Sequence, residues 1–90
     1  KSMQQQSVTL TNQLGLHARP AAAVVQKANQ YRAAVRIRAG EKEADAKSIL
    51  SVLALGARQG STVTLTADGP DEEQALAELA AFLAAGCGEV

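Results

Sequence analysis

One short segment of the chain combines side chains that suit phosphate chemistry. It covers residues 15–21 and reads Gly-Leu-His-Ala-Arg-Pro-Ala. A neutral imidazole nitrogen is a nucleophile, and an arginine offers a planar, permanently charged fork that matches phosphate geometry. His17 and Arg19 are therefore candidates for accepting and stabilising a phosphoryl group. The same residues are also typical of a solvated surface histidine or of a simple anion site, and spacing alone does not separate these alternatives.

The residues on either side of this histidine predict a loop that leads from a strand into a helix. Residues 7–11 alternate polar and apolar side chains, as in a half-buried strand. From residue 18 to residue 32 apolar side chains recur at helical spacing, and Pro20 suits the first turn. The first amides of a helix have no partner within it and favour anions. The predicted helix therefore starts where a transferred phosphoryl group would need stabilisation.

The rest of the chain predicts three more strands and two more helices. The strands cover residues 34–39, 41–46 and 61–67, and the charges of the second suit a sheet edge. Ser48 is placed to cap a short helix that ends at Leu55, and Asp71 is placed to cap a last helix with one apolar stripe. The order β-α-β-β-α-β-α predicts an α+β fold, with helices on one face of a mainly antiparallel sheet.

Composition limits what the chain can do. Its 90 residues suit one domain, expected over residues 7–85 between short tails at 1–6 and 86–90. Nine basic residues balance nine acidic ones, which argues against a nucleic-acid partner, and no apolar run is long enough to insert into a membrane. One histidine and one cysteine exclude a disulfide framework and a zinc site. We expect a cytoplasmic monomer without a metal, in which Cys87 lies in a flexible tail without redox function.

Residues 15–21 resemble the active-site signature of HPr, the histidine-containing phosphocarrier of the bacterial phosphoenolpyruvate:sugar phosphotransferase system. The similarity extends over about residues 7–85 and is clearest in residues 46–50, 53–56, 60–63, 67–69 and 71–75. The resemblance implies an HPr-like open-faced β-sandwich, in which a four-stranded antiparallel sheet is covered on one face by three helices.

The same resemblance implies a reaction. Enzyme I, charged by phosphoenolpyruvate, would transfer a phosphoryl group to Nδ1 of His17, and the chain would pass it to a histidine of an enzyme IIA. Arg19 matches the active-site arginine of the family, and the amides of Ala18 and Arg19 match its phosphate cradle. The chain would be a stoichiometric phosphohistidine intermediate rather than a free-standing enzyme, and it would need no cofactor of its own.

Ser48 matches a second phosphorylation position of the family, which an HPr kinase uses for regulation in some bacteria. A serine at a helix start is also explained by capping alone, which is worth about 1 kcal/mol. One alternative function is therefore a regulatory, nitrogen-branch HPr-like protein that acts by docking. Another is a non-catalytic anion-binding domain in which His17 is incidental.

Partners of such a carrier are expected to dock around His17, on the first two helices. The candidate contact residues are Lys27, Lys47, Ile49, Leu50 and Leu53, and at least one of the three apolar ones is expected to face the core. Residues 84–89 are similar to the segment after the HPr-like domain of fused multiphosphoryl transfer proteins of the fructose branch. The chain is therefore also compatible with one module of a fused phosphotransferase, and its residues do not identify the sugar.

Overall fold

The computed structural model describes residues 4–11 and 15–87, and within them it has seven elements in the order β-α-β-β-α-β-α. The strands are β1 (Gln4–Thr9), β2 (Ala34–Ala39), β3 (Lys42–Asp45) and β4 (Thr62–Asp68). The helices are α1 (Ala18–Ala28), α2 (Ile49–Ala54) and α3 (Glu72–Ala84). The predicted type and order of the elements are confirmed, and with them the α+β fold class.

The strands form one antiparallel sheet in the order β1-β4-β2-β3. The charged strand β3 lies at an edge, as its sequence predicted. Along β4, Val63, Leu65 and Ala67 are buried while the threonines between them are more exposed. One face of the sheet is thus apolar and lies under the helices, and the other is polar and open.

The core lies between the apolar face of the sheet and the helices. Helix α3 packs across β1 and β4, and α1 packs against α3 and α2. The largest fully buried side chains include Leu10, Ile37, Leu65, Leu79 and Leu83. Burying one such side chain is worth roughly 1.5–3 kcal/mol, so the packing of α3 on the sheet is stable and holds α1, which packs against α3, in place. No helix in the described ranges is long and apolar enough to cross a lipid bilayer.

Two element boundaries differ from the predicted ones by more than two residues. Strand β1 starts at Gln4 instead of residue 7, because backbone pairing with β4, which begins at Gln4↔Ala67, needs no apolar side chains. Residues 4–6, predicted to be part of a tail, therefore belong to the sheet. Helix α1 ends at Ala28 instead of residue 32, where the Asn29 side chain donates to the Val25 carbonyl at 2.8 Å. Tyr31 is nevertheless buried, because the chain folds back after the helix.

The prediction that Cys87 lies in a flexible tail is wrong. Cys87 is buried, and its amide donates to the Phe82 carbonyl at 2.9 Å. Gly86 and Cys87 both have positive φ angles, +89° and +56°, as in the left-handed turns that close many helices. The carbonyls at the end of α3 need donors, and this turn supplies them. The packed fold therefore continues at least to Cys87, past the predicted domain end at residue 85.

Candidate functional site

His17 is the residue that precedes helix α1. Its backbone is extended, with φ −79° and ψ −171°, and its carbonyl accepts the first helical hydrogen bond from the Ala21 amide at 2.9 Å. The imidazole makes no capping hydrogen bond to the helix, and the residue is half-buried. His17 is thus fixed through its backbone while its side chain is partly accessible to solvent.

Two backbone amides follow His17 at the positive end of the helix. Ala18 and Arg19 precede the first helical hydrogen bond, so their amides have no acceptor within α1. Pro20 has no amide hydrogen and is buried, whereas Ala18 and Arg19 are exposed. The helix dipole adds to the attraction that these donors exert on an anion. The structure therefore brings the imidazole of His17, two open amides and the Arg19 side chain to one helix end.

The loop before His17 is attached to the loop that follows α2. The Leu16 side chain is buried, and its amide donates to the Ala57 carbonyl at 3.0 Å. Gly15 has a φ of +65°, and a Cβ there would lie 2.2 Å from the Ala57 oxygen and 2.5 Å from the Arg58 Cα. Only glycine fits this position without displacing backbone. Sequence reasoning did not identify Gly15, Leu16 and Ala57 as positioning residues, although two of them belong to the histidine segment.

Helix α2 has the predicted cap and an apolar surface. The Ser48 side chain accepts from the Ser51 amide at 3.4 Å, which confirms its capping role. Ile49, Leu50 and Leu53 are 36%, 77% and 37% exposed. The expectation that one of these three faces the core is wrong. In a helix of six residues a single position, Val52, is fully buried, so Val52 takes that place.

The connections of α2 determine where these apolar side chains lie. At its start, the Asn29 side chain at the end of α1 donates to the Lys47 carbonyl at 3.3 Å. After its end, Ala57 meets Leu16, next to His17. Helix α2 therefore runs from the end of α1 back towards the histidine loop. The apolar surface of Ile49, Leu50 and Leu53 lies along this path, and we call it the α2 surface.

The two candidate docking lysines have partners within the chain. Lys27 Nζ lies 4.0 Å from a Glu78 carboxylate oxygen and 5.7 Å from the centre of the Phe82 ring. Lys47 Nζ donates to the Tyr31 carbonyl at 2.7 Å. Lys27 is ten residues from His17, which is about 15 Å along a helix. Both ammonium groups therefore help to hold the far end of α1, and their role in docking stays a prediction.

Tyr31 and Glu78, which lie near the C-terminal end of α1, have shifted pKa values. Burial, followed by its hydrogen bond to Glu78, raises the pKa of Tyr31 to about 12. Hydrogen bonds from Tyr31 and Gln74 lower the pKa of Glu78. These three side chains connect the turn after α1 to helix α3, away from His17.

Asp71 was predicted to cap α3, and its side chain makes a different contact. It stands at the N-cap position but makes no side-chain capping bond. Its carboxylate accepts the amides of Arg32 at 2.9 Å and Ala33 at 2.8 Å, and the Arg32 hydrogen bond is the main reason why the pKa of Asp71 is lowered. Asp71 thus joins the start of α3 to the chain that enters β2. Across residues 4–11 and 15–87, no three His, Cys, Asp or Glu side chains are grouped to hold a metal ion.

Comparison with known proteins gives one consistent family. The family described as "PTS HPr component phosphorylation site" matches residues 4–85. The phosphocarrier protein HPr of Cupriavidus necator is 45% identical over 87 residues, covering 97% of this chain and 98% of the relative. The HPr-like protein Crh of Bacillus subtilis is 43% identical over 81 residues, covering 90% of this chain and 95% of the relative.

Solved structures agree with this match. The crystal structure of HPr-C-His from Thermoanaerobacter tengcongensis superposes with a TM-score of 0.91 at 37% identity, covering 97% of this chain and 98% of the other. An HPr dimer from the same organism superposes with a TM-score of 0.76 at 39% identity, covering 91% and 94%. Fold, histidine segment and sequence similarity therefore lead to one conclusion: the chain belongs to the HPr family of phosphocarrier proteins of the phosphotransferase system.

Proposed function

We propose that the chain carries a phosphoryl group from enzyme I to an enzyme IIA of the sugar phosphotransferase system, with His17 as the acceptor. The observation that carries this proposal is the position of His17 directly before α1, beside the open amides of Ala18 and Arg19, in a chain of the HPr family. His17 is also the single histidine of the sequence, so no second phosphohistidine can form on this chain.

The proposed transfer needs only groups at this helix end. The Nδ1 lone pair of His17 attacks the phosphorus atom bound to enzyme I, the bond between phosphorus and the donor breaks, and its electron pair returns to the donor. The phosphoryl oxygens accept hydrogen bonds from the Ala18 and Arg19 amides and from the Arg19 guanidinium. In the second transfer a histidine of enzyme IIA attacks the same phosphorus, and the N–P bond at His17 breaks.

Exposure of the site suits a carrier that must meet two partners in turn. Arg19 and Ala18 are exposed and His17 is half-buried, so an incoming protein can reach the phosphoryl group without opening the fold. A site that enclosed the phosphate would hold it more tightly and slow the second transfer. In this role the chain would act in the cytoplasm as a monomer, without a metal or cofactor.

The α2 surface is the proposed docking contact. Leu50 is 77% exposed, and such a side chain on a helix beside the reactive residue suits an apolar contact with a partner. Ile49 and Leu53 extend this contact. For Lys27 and Lys47 to bind an acidic partner, their ammonium groups would have to exchange the internal contacts to Glu78 and the Tyr31 carbonyl.

A second candidate function is regulatory docking controlled at Ser48. Two observations favour it: Ser48 lies next to the α2 surface, and Crh, a relative named as HPr-like, is 43% identical to this chain. A kinase would add a phosphate to the Ser48 hydroxyl, whose oxygen now accepts the Ser51 amide. The added charge would change the surface that partners meet, while the positive helix start tolerates it.

Sequential transfer tests the carrier proposal against its alternative. The chain is incubated with phosphoenolpyruvate and catalytic enzyme I, then with an enzyme IIA, and intact masses are recorded at neutral pH. We expect one phosphoryl group on the chain that moves to enzyme IIA and is absent from His17→Ala, whereas Ser48→Ala behaves as the wild type. A chain that takes no phosphoryl group from a competent enzyme I, but binds partners according to the state of Ser48, would support the regulatory function instead.

A further inference from the structure

The open face of the sheet contains a shallow cavity of about 220 Å³. All four strands contribute polar side chains to it, namely Gln5, Arg36, Arg38, Glu43, Thr64 and Thr66. The strand register explains this grouping: Gln5, Thr66 and Arg36 lie in one row across the sheet, and Thr64, Arg38 and Glu43 lie in the next. The cavity is on the face opposite the helices, so the proposed phosphoryl transfer does not use it.

The charges of the cavity are not balanced. Arg36 Nε lies 3.1 Å from a Glu43 carboxylate oxygen, and this pair is about half exposed. Within the described ranges, Arg38 forms no ion pair. The nearby carboxylate of Asp45 does not line the cavity and accepts the Lys47 amide at 2.9 Å. The lining of the cavity therefore contains two guanidinium groups and one carboxylate, so its formal charge is positive.

The arrangement of donors favours a phosphate group. Arg36 and Arg38 are two residues apart on β2, so their Cα atoms are about 6.7 Å apart and their side chains leave the same face. A carboxylate can be satisfied by one arginine fork, whereas a phosphate has further oxygens for a second guanidinium and for hydroxyl donors such as Thr64 and Thr66. We propose that this cavity binds the phosphate group of a small molecule, either free phosphate or the monoester of a small metabolite.

The size of the cavity argues for a small ligand, not a polymer. Its volume accommodates a phosphate with a few further atoms. Beside the cavity, β1 presents hydroxyl groups that pair with β4, Ser7 with Thr64 at 3.5 Å and Thr9 with Thr62 at 3.4 Å. Because β1 has no basic side chain, it offers no cation to bind further phosphates of a longer ligand. The proposal is independent of the carrier function, because the two anion sites lie on opposite sides of the sheet.

A titration followed by amide NMR separates the two sites. The chain is titrated first with inorganic phosphate and then with glycerol 3-phosphate, and sodium chloride keeps the ionic strength constant. We expect saturable shifts at the amides of Arg36, Arg38, Thr64 and Thr66. Saturation by phosphate alone would identify the free ion as the ligand, and tighter binding of the ester would identify a metabolite.

Three variants test the assignment of the charges. Arg38→Gln should weaken binding at this site by about tenfold or more, because it removes charge-assisted hydrogen bonds. Arg58→Gln is the matched control, since it makes the same change in net charge at an exposed loop position, and we expect its affinity to stay within about twofold. Glu43→Gln should strengthen binding, since it removes the competing carboxylate.

The proposal would be overturned by shifts confined to the amides of Ala18 and Arg19, or by shifts that sodium chloride alone reproduces. Equal losses in Arg38→Gln and Arg58→Gln would overturn it as well, because they would show a general effect of net charge. The spectra also report whether each variant is folded, since both arginines are exposed and neither belongs to the core.

Discussion

Leu16 directly precedes His17, the proposed phosphoryl acceptor, and its amide donates a 3.0 Å hydrogen bond to the Ala57 carbonyl. Leu16 belongs to the histidine loop, and Ala57 lies in the loop that follows α2. This bond therefore connects the reactive histidine to the helix that carries the exposed apolar side chains. The close packing of Gly15 against the same loop strengthens the connection.

Substitution Gly15→Ala should disturb this connection. The new Cβ would lie 2.2 Å from the Ala57 oxygen, so we expect this clash to lower the free energy of unfolding by about 1–3 kcal/mol. The cost of an alanine at a φ of +65° would add to this loss. A displaced His17 should also accept the phosphoryl group more slowly, on the order of 100-fold. The control is Gly56→Ala, which has a similar φ of +63° but nothing within 4 Å of its Cβ. Equal effects of the two variants on urea unfolding and on transfer would show that the contact is unimportant.

Substitution Arg19→Gln should slow phosphoryl transfer without unfolding the chain. Removing a group that stabilises the transferred phosphoryl oxygens costs roughly 10²–10³ in rate, whereas an exposed substitution changes stability by within about 0.5 kcal/mol. Arg32→Gln is the control, because Arg32 is also exposed but lies beyond the other end of α1. Rapid-quench transfer from phosphorylated enzyme I measures the rates. Equal rates for both variants would remove Arg19 from the proposed site.

The Asp71 carboxylate should make stability depend on acid pH. Its pKa is lowered in the folded state, mainly by the Arg32 amide, and the pKa of Glu78 is lowered mainly by Tyr31. A lowered pKa means that the stabilisation is complete above the usual carboxyl range near pH 4 and is lost as the pH falls through the folded pKa.

Asp71→Asn should therefore flatten the acid limb of a plot of unfolding free energy against pH. Glu73→Gln is the control, since Glu73 is exposed in the same first turn of α3. An acid limb for Asp71→Asn that runs parallel to the wild-type one would contradict this role of Asp71.

Tyr31 is the single tyrosine, so its titration can be followed by ultraviolet absorbance without other signals. Burial and the hydrogen bond to Glu78 raise its pKa to about 12, so the folded chain should show little tyrosinate at pH 10 to 11. The associated stability is present below pH 10 and is lost as the pH rises through 12.

Glu78→Gln tests the origin of this shift. It should lower the pKa of Tyr31 only in part, because burial is the larger cause and remains. Glu73→Gln should leave the titration curve unchanged, since Glu73 makes no contact with Tyr31 among those that shift its pKa. A tyrosine that titrates near pH 10 in the folded wild type would show that the contact with Glu78 is not formed.

The α2 surface should matter for binding and not for stability. Leu50→Ala is expected to change the free energy of unfolding by less than about 0.5 kcal/mol and to weaken binding to enzyme I by about tenfold. Val52→Ala, two residues further along α2 and fully buried, should instead cost about 2 kcal/mol of stability. Calorimetric titration and urea unfolding measure the two effects. A Leu50→Ala chain that binds enzyme I with wild-type affinity would place the docking surface elsewhere.

Local patterns were sufficient to predict the element order, and they also indicated the main residues of the candidate site. The alternation in β4 and the cap at Ser48 each involve neighbouring residues, and His17 and Arg19 are two residues apart. Sequence patterns report such relationships directly, because side chains that are close along the chain share one element.

The contacts that the sequence did not reveal join distant parts of the chain. The Asp71 carboxylate accepts hydrogen bonds from amides that are 38 and 39 residues away along the chain. Its sequence neighbours alone therefore predict a helix cap and not this contact. Cys87 is buried because of the turn that closes α3. The glycines on both sides of Cys87, taken alone, predict a flexible segment instead. The cavity around Arg38 requires the register of four strands, and alternation gives the face of a side chain but not its neighbours.

The state of His17 after reaction with enzyme I and phosphoenolpyruvate shows whether this histidine is the phosphoryl acceptor. Because the chain has one histidine, selective ¹⁵N labelling of histidine gives signals from one imidazole. We expect coupling between phosphorus and Nδ1 of His17, in a product that is labile in acid and stable in base. Phosphorus on Nε2 or on Ser48, or an imidazole that stays unmodified in the presence of competent enzyme I, would contradict it.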